Sequence, residues 1–193
     1  MATGEELVVL ARKHEGEDYE HVLAPKNNPN WHGPWDCSEF VSWVVFQCTG
    51  RLYGCLNDTA AAPPNPALAK AFTGAWKDDS VHFGERVPVE RAAAIAGGIL
   101  LRYPPGPGVM GHVVLCDGRG GTIEAMGHRD GVKSGRVQGR RWDTGVLIPW
   151  VTYDQTRQPI AAAPPTKIYF GLNRFAVRGA AARDVTAGRF SSG

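Results

Sequence analysis

Asp36-Cys37-Ser38-Glu39-Phe40-Val41-Ser42-Trp43-Val44-Val45-Phe46-Gln47-Cys48-Thr49-Gly50 is the stretch whose pattern decides the fold. Cys37, Phe40, Val41, Val44, Val45 and Cys48 recur at the i, i+3, i+4, i+7 spacing of a helix with one apolar face. Asp36 is a good N-cap, and Glu39 stands three residues further on, as in a capping box. Gly50 follows the last apolar residue, where a helix stops. Cys37 therefore opens a capped helix. The unpaired N–H groups and the dipole there favour an anion, here a thiolate, and the same N–H groups suit an oxyanion in acyl transfer. The alternative is a buried structural cysteine, since free cysteines are often buried.

Upstream, residues 5–14 read as a short amphipathic helix, and residues 24–35 as a loop rich in Pro, Asn and Gly. Downstream, residues 49–90 carry a weak pattern. The AAAPPNP run at 60–66 breaks any element, and residues 66–76 suit a short helix. The region reads as an insertion between helix and sheet that lines or covers a cleft. Strands are expected at 98–103, 111–116, 122–126, 145–150 and 167–172, separated by Pro, Gly and polar clusters. Helices first and strands later argue for an α+β fold, with helices against one side of an antiparallel sheet. The expected organisation is one catalytic domain over 1–177 and a flexible Ala, Arg, Gly and Ser tail over 178–193.

A thiolate needs a base. His112 opens the apolar run His112-Val113-Val114-Leu115, and the turn Asp117-Gly118-Arg119-Gly120-Gly121 leads into Thr122-Ile123-Glu124-Ala125. This is a β-hairpin pattern. A hairpin centred on Gly118 sets His112 opposite Glu124, on one face, with Cβ atoms about 5 Å apart. A carboxylate there would hold the imidazole in one tautomer and support its protonated form. Taken singly, each residue also reads as a strand-end histidine and a solvent-facing glutamate.

Asp36-Cys37-Ser38 with Phe40-Val41 resembles the DCSGLV block of the NlpC/P60 cysteine peptidases. Gly97-Gly98-Ile99-Leu100 is similar to the family's PGDLV strand start, Gly111-His112-Val113-Val114-Leu115 to its GHVGIY block, and Ile123-Glu124-Ala125 to the segment with its third catalytic residue. The resemblance spans roughly residues 15–150. It implies a papain-like fold, with Cys37 as nucleophile, His112 as base and Glu124 as orienter. Gly16-Glu17-Asp18-Tyr19 resembles the family's G.PYVWGG segment, which implies that Tyr19 points its hydroxyl at the oxyanion or substrate. Asp36 and Ser38 line the substrate cleft in relatives, although helix cap and first-turn residue describe them equally well. Glu39 replaces the usual glycine after DCS, Val114 replaces a glycine of GHVGIY, no clear WGG precedes Cys37, and 49–90 exceeds the usual spacing. The implied reaction is cleavage of an amide in a peptidoglycan stem peptide, between D-iso-glutamate and a diamino acid. The basic residues Arg129, Lys133, Arg136, Arg140 and Arg141 are candidate partners for its carboxylates, or a solvated loop face. The alternatives are an amidase or acyltransferase on another amide or ester, and a non-catalytic module of a phage tail or secretion machine.

Composition is compatible with this. The chain has 193 residues, 43% of them hydrophobic and 21% charged, which suits one globular domain with a core. A formal net charge of +2 gives no footprint for nucleic acid. No run approaches the ~20 apolar residues of a membrane span. The N-terminus lacks a basic region, and Leu7 to Ala11 is too short for a signal peptide. Action at the cell wall would then follow delivery by a phage tail, lysis or a specialised secretion system, with delivery machinery or an immunity protein as possible partners. The four cysteines match no zinc spacing, the six histidines form no HExxH, and no metal or other cofactor is expected. Cys48 and Cys55 are candidates for a disulfide under oxidising conditions.

Overall fold

The computed structural model describes residues 1–56, 65–106 and 109–154. The strand expected at 167–172 and the tail at 178–193 lie outside these. Strand β1 (Ala2–Thr3) leads into helix α1 (Gly4–Arg12). Thr3 and Glu6 form a reciprocal capping box: Thr3 Oγ1 accepts from the Glu6 amide at 3.2 Å, and Glu6 accepts from the Thr3 amide at 2.7 Å. After a loop comes helix α2 (Cys37–Thr49), with Gly50 in the left-handed conformation at its C-terminus (φ 69°). Its apolar face, Phe40, Val41, Val44 and Val45, is buried in one core with Leu7, Val113, Leu115, Ile123 and Ala125. The hairpin thus packs on the Cys37 helix.

Glu39 departs from the expected cap. It does not reach back to the N-cap amide. It is fully buried and accepts from Lys26, also fully buried, and from the amides of Ala71 (2.8 Å) and Ala24 (3.2 Å). Lys26 Nζ completes its shell on the carbonyls of Ala24 (2.8 Å) and Ala69 (2.9 Å). Two loops distant in sequence are therefore tied to the first turn of α2 by one ion pair.

The expected helix at 66–76 lies further on, as α3 (Thr73–His82). Its buried residues are Ala75, Trp76 and Ser80, too few and too mixed to give a helical stripe. Trp76 Nε1 donates to Ser42 Oγ at 3.0 Å and ties α3 to α2. Two short elements follow that the sequence did not mark, β2 (Glu85–Val87) and α4 (Val89–Ala93). Much of 49–90 is thus built into the fold, since β2 joins the sheet.

The remaining strands are β3 (Ala96–Arg102), β4 (His112–Asp117), β5 (Gly121–Gly127), β6 (Gly131–Arg136), β7 (Thr144–Leu147) and β8 (Val151–Thr152). Six form an antiparallel sheet in the order β2-β7-β3-β4-β5-β6, and β8 pairs with β1 in parallel. α1 and α2 share the core on one face. On the other, Leu100, Val114, Cys116 and Leu147 pack with Ala92 and Ile95 around α4. Gly97 and Gly98 are required where β3 passes between helices: a Cβ at Gly97 (φ 79°) would lie 2.5 Å from Gly4 Cα, and one at Gly98 2.3 Å from the Ala92 carbonyl oxygen. Among the described residues, no helix is long and apolar enough to cross a membrane. All four cysteines are free, so Cys48 and Cys55 are not paired; the second lies instead in a bridge to Ala71.

Removing Lys26 leaves the Glu39 charge buried with only backbone donors. Lys26→Met should cost on the order of 3 kcal/mol, read as a lower urea midpoint at unchanged slope. An unchanged midpoint would show that the pair does not hold these loops.

Candidate active site

Cys37 is 3% exposed at the first position of α2. Asp36 Oδ1 accepts from the amides of Ser38 and Glu39, both at 2.8 Å, and the Asp36 carbonyl accepts from Phe40 at 3.0 Å. The expectation that the helix-start amides as a group face an oxyanion therefore narrows. The cap consumes those of Ser38 and Glu39, and Cys37 N–H is the first-turn donor it leaves.

The hairpin register differs from the expected one by two residues. Leu115 pairs with Ile123 and Cys116 with Thr122, so the turn centres on Arg119. Continued to the start of β4, this register sets His112 level with Met126, and Glu124 becomes its diagonal neighbour. A shift of two keeps both side chains on one face, and diagonal neighbours are within reach of long side chains. His112 Nε2 meets Glu124 Oε2 at 2.6 Å. Cys37 lies near enough to His112 to act on its charge, and Glu124 holds Nε2, which leaves Nδ1 as the ring nitrogen without that partner. Cys37, His112 and Glu124 are thus brought together in one chain of contacts.

The electrostatics favour a charged pair. Burial alone would push the His112 value down, but hydrogen bonds to Cys37 and Glu124, with the charges behind them, outweigh it and raise it from 6.5 to about 9. Burial likewise pushes Glu124 up, yet hydrogen bonds from His112, Arg140 and Thr122 bring it down to about 2. Of the four cysteines, Cys37 is the one that acts on the charge of an imidazole. Burial raises Cys48 and Cys55 to about 11 and also pushes Cys116 up, as suits unreactive core thiols.

Arg140 is the residue that sequence reasoning misassigned. Its guanidinium grips Glu124 with both ends, Nη1 to Oε1 at 2.6 Å and Nη2 to Oε2 at 2.8 Å. It also lies over the Trp142 ring at 4.7 Å, and Trp142 stacks on His112 with centroids 6.1 Å apart. Arg141 pairs with Asp143 at 2.8 Å and Lys133 with Asp130 at 2.7 Å. Arg140 is therefore committed to Glu124, whereas Arg141 and Lys133 make exposed ion pairs at the surface. No local spacing marks the Arg140 clamp, because Arg140 lies 16 residues from Glu124 on a loop after β6.

Tyr19 is held next to the nucleophile by a bridge to Trp35, flanked by Trp35 N–H to Asp18 O (3.0 Å) and Glu20 N–H to Trp35 O (3.1 Å). Burial, then the nearby charges of Cys37 and Asp36, raises its phenol to about 12, so it remains a donor. The exposed rings of His21 and His128 stand edge-on to it at 5.6 and 5.0 Å. Asp36 is half-buried, and its carboxyl is raised by burial against the pull of the cap hydrogen bonds, His21 and Lys26. Ser38 is buried, its Oγ 3.8 Å from Cys37 Sγ. His14, Glu17 and His32, which show no metal spacing in the sequence, also converge, on the preceding loop.

Compared by sequence, the chain matches no family model and no curated protein. Its structure does match solved ones. The NlpC/P60 domain of the peptidoglycan hydrolase SagA superposes with a TM-score of 0.51 at 26% identity, over 76% of this chain and all of that domain. The resuscitation-promoting-factor-interacting protein RipA gives 0.50 at 17% identity, over 75% of this chain and 60% of its own. NlpC2 of Trichomonas vaginalis gives 0.50 at 14%, over 77% and 47%. The last two show likeness of fold alone. The chain is a mixed α+β domain with the NlpC/P60 fold.

Two outcomes test the electrostatics. In ring-labelled protein followed by NMR, His112 should titrate near 9, and Glu124→Gln should move it back towards 6.5. The same titration in both proteins would show that Glu124 does not hold the proton. The raised His112 value contributes stability that is full below 6.5 and lost as pH rises through about 9. Glu124 contributes stability present above its ordinary 4.5 and lost as pH falls through about 2. Arg140→Met should therefore shift the onset of acid unfolding to higher pH, as followed by circular dichroism.

Proposed function

We propose that this chain is a cysteine hydrolase of the NlpC/P60 type that cleaves an amide bond in peptidoglycan stem peptides. The observation that carries the reading is the His112–Glu124 hydrogen bond, with Cys37 near His112 at the capped start of α2. The likeness to the NlpC/P60 domain of a peptidoglycan hydrolase supports the substrate class.

In this reading the thiol proton already rests on His112, as the imidazolium that Glu124 stabilises, and Cys37 is the thiolate. The thiolate attacks the amide carbonyl carbon, and the carbonyl π pair moves to oxygen. Cys37 N–H and the Tyr19 hydroxyl would serve as donors to that oxyanion. On collapse the C–N bond breaks, and His112 returns its proton to the leaving amine. A water then attacks the thioester while His112 accepts its proton, which releases the acid and regenerates the thiolate.

The bond proposed is the one between D-iso-glutamate and the diamino acid. Asp36 and Ser38 flank the nucleophile, and the exposed His21 and His128 beside Tyr19 would face a peptide bearing both amino and carboxylate groups.

Purified peptidoglycan digested with the wild type, and fragments identified by mass spectrometry, should show stem peptides cut at that bond. Cys37→Ala should slow the cut by at least about 10³-fold. Intact stem peptides with turnover of some other amide or ester would replace the substrate. Equal cutting by Cys37→Ala would remove the mechanism.

A further inference from the structure

We propose that His14, Glu17 and His32 form a binding site for a divalent cation of the zinc class, which clips the segment between Glu17 and Trp35 to the body of the domain. The site is separate from the Cys37 contact chain, and nothing in the preceding reading requires it.

The three side chains offer two imidazole nitrogens and one carboxylate oxygen, and these atoms all lie within 4.8 Å of one another. His14 Nδ1 is 3.0 Å from each oxygen of Glu17, and His32 Nδ1 is 3.0 Å from Oε1. Ligands on a tetrahedral zinc with bonds of ~2.0–2.1 Å stand about 3.4 Å apart. The two His–Glu17 distances therefore need to open by only a few tenths of an ångström, and the two imidazole nitrogens already stand within 4.8 Å of each other. Two histidines and a glutamate are a donor set that zinc uses, with a fourth position left for water.

The surroundings are those of a metal site. The Trp35 indole N–H donates to Glu17 Oε2 at 2.5 Å, so a group outside the ligand set fixes the carboxylate and leaves Oε1 to bind. His14 is 4% exposed, its ring wedged edge-on against Trp43 at 4.9 Å and Trp35 at 5.4 Å. The turn that carries His14 and Glu17 is pinned to β6 at its Glu17 end, by Gly16 N–H to Val132 O and Val132 N–H to Glu17 O, each 2.8 Å, and His14 N–H continues the helix onto Ala11 O at 3.1 Å. Two ligands are thus preorganised. The third, His32, has a side chain 73% exposed on a loop, which supplies an open approach. Both imidazoles present the same nitrogen, Nδ1, to one carboxylate. A cation at that point would replace two hydrogen bonds with three coordinate bonds.

The placement gives the site a role. Glu17 lies two residues before Tyr19, and His32 four residues before Asp36. A bound cation would close the loop between them and stiffen both flanks of the nucleophile.

The test uses the full chain carrying Cys37→Ala, which removes the thiol that would otherwise bind zinc beside His112. After dialysis against a chelator, the protein is titrated with zinc chloride by calorimetry and its melting temperature is followed. The expected result is one zinc per chain and a rise in melting temperature of several degrees. Adding His32→Ala, at an exposed position that spares the fold, should abolish both. Adding Trp35→Phe should weaken affinity by roughly 10–100-fold. Absence of binding overturns the proposal, as does stoichiometric binding that survives His32→Ala.

Discussion

The first turn of α2 carries two carboxylates that point in different directions, and the rest of the domain is arranged around them. Asp36 caps the helix and takes up two of its free amides. Glu39 turns inward to Lys26, with both charges fully buried. A buried ion pair is weak evidence for stability, since desolvation offsets most of the attraction, but breaking one leaves a charge uncompensated. Its effect is therefore to specify geometry. With the first turn held between the loop at Ala24 and the segment at Ala69–Ala71, α2 can lie on the sheet in one orientation, and Phe40, Val41 and Val44 meet Val113, Leu115 and Ile123. That orientation brings Cys37 to His112.

The second constraint is the Glu124 carboxylate, which has no exposure. A fully buried anion there requires more compensation than one imidazole supplies, because it loses all of its hydration. Arg140 provides it with a fixed charge in bidentate geometry, and Thr122 adds a hydroxyl donor. The ionised carboxylate can then raise the His112 value even though the ring is 7% exposed and burial opposes the charge. Trp142 lies nearly parallel to the imidazole and under the Arg140 guanidinium, so it borders both partners of Glu124. Where a charged orienter is buried, its counter-charge belongs to the site as much as the orienter does.

This explains which parts of the molecule were legible in the sequence. α2 was, because its cap, apolar stripe and terminal glycine lie in one unbroken segment and each encodes a local preference. His112 and Glu124 were paired correctly through a register two residues wrong, because strand parity survives an even slip. α3 was misplaced because it buries one large side chain, Trp76, and shows no periodic face. β6 was missed because its outer half alternates polar residues at the sheet edge. The Glu39–Lys26 pair, the Arg140 clamp and the His14–Glu17–His32 cluster were invisible as such. Each joins residues from separate segments of the chain, and charge alone does not say which opposite charge a chain will fold against.

The same distinction bears on how the reactive end of the domain is kept in place. Cys37 sits on a helix and His112 and Glu124 on strands, whose backbones are fixed by ladders of hydrogen bonds and a shared core. Tyr19 and Trp35 come from a connection that runs from the end of α1 to the start of α2 without a regular element of its own. Between Glu20 and Trp35 that connection is held by side chains: Lys26 buried against Glu39, the Trp43 indole on the Asn28 carbonyl at 3.0 Å, and His32 on Glu17. Order in such a segment depends on polar contacts that water can compete for, so each must be buried or multiply tied to last. Lys26 is buried and Trp43 nearly so, whereas His32 is exposed. The His32 end is thus the weakest tether of the loop that positions Tyr19, and it is where an added bond would do most to fix the geometry around the nucleophile.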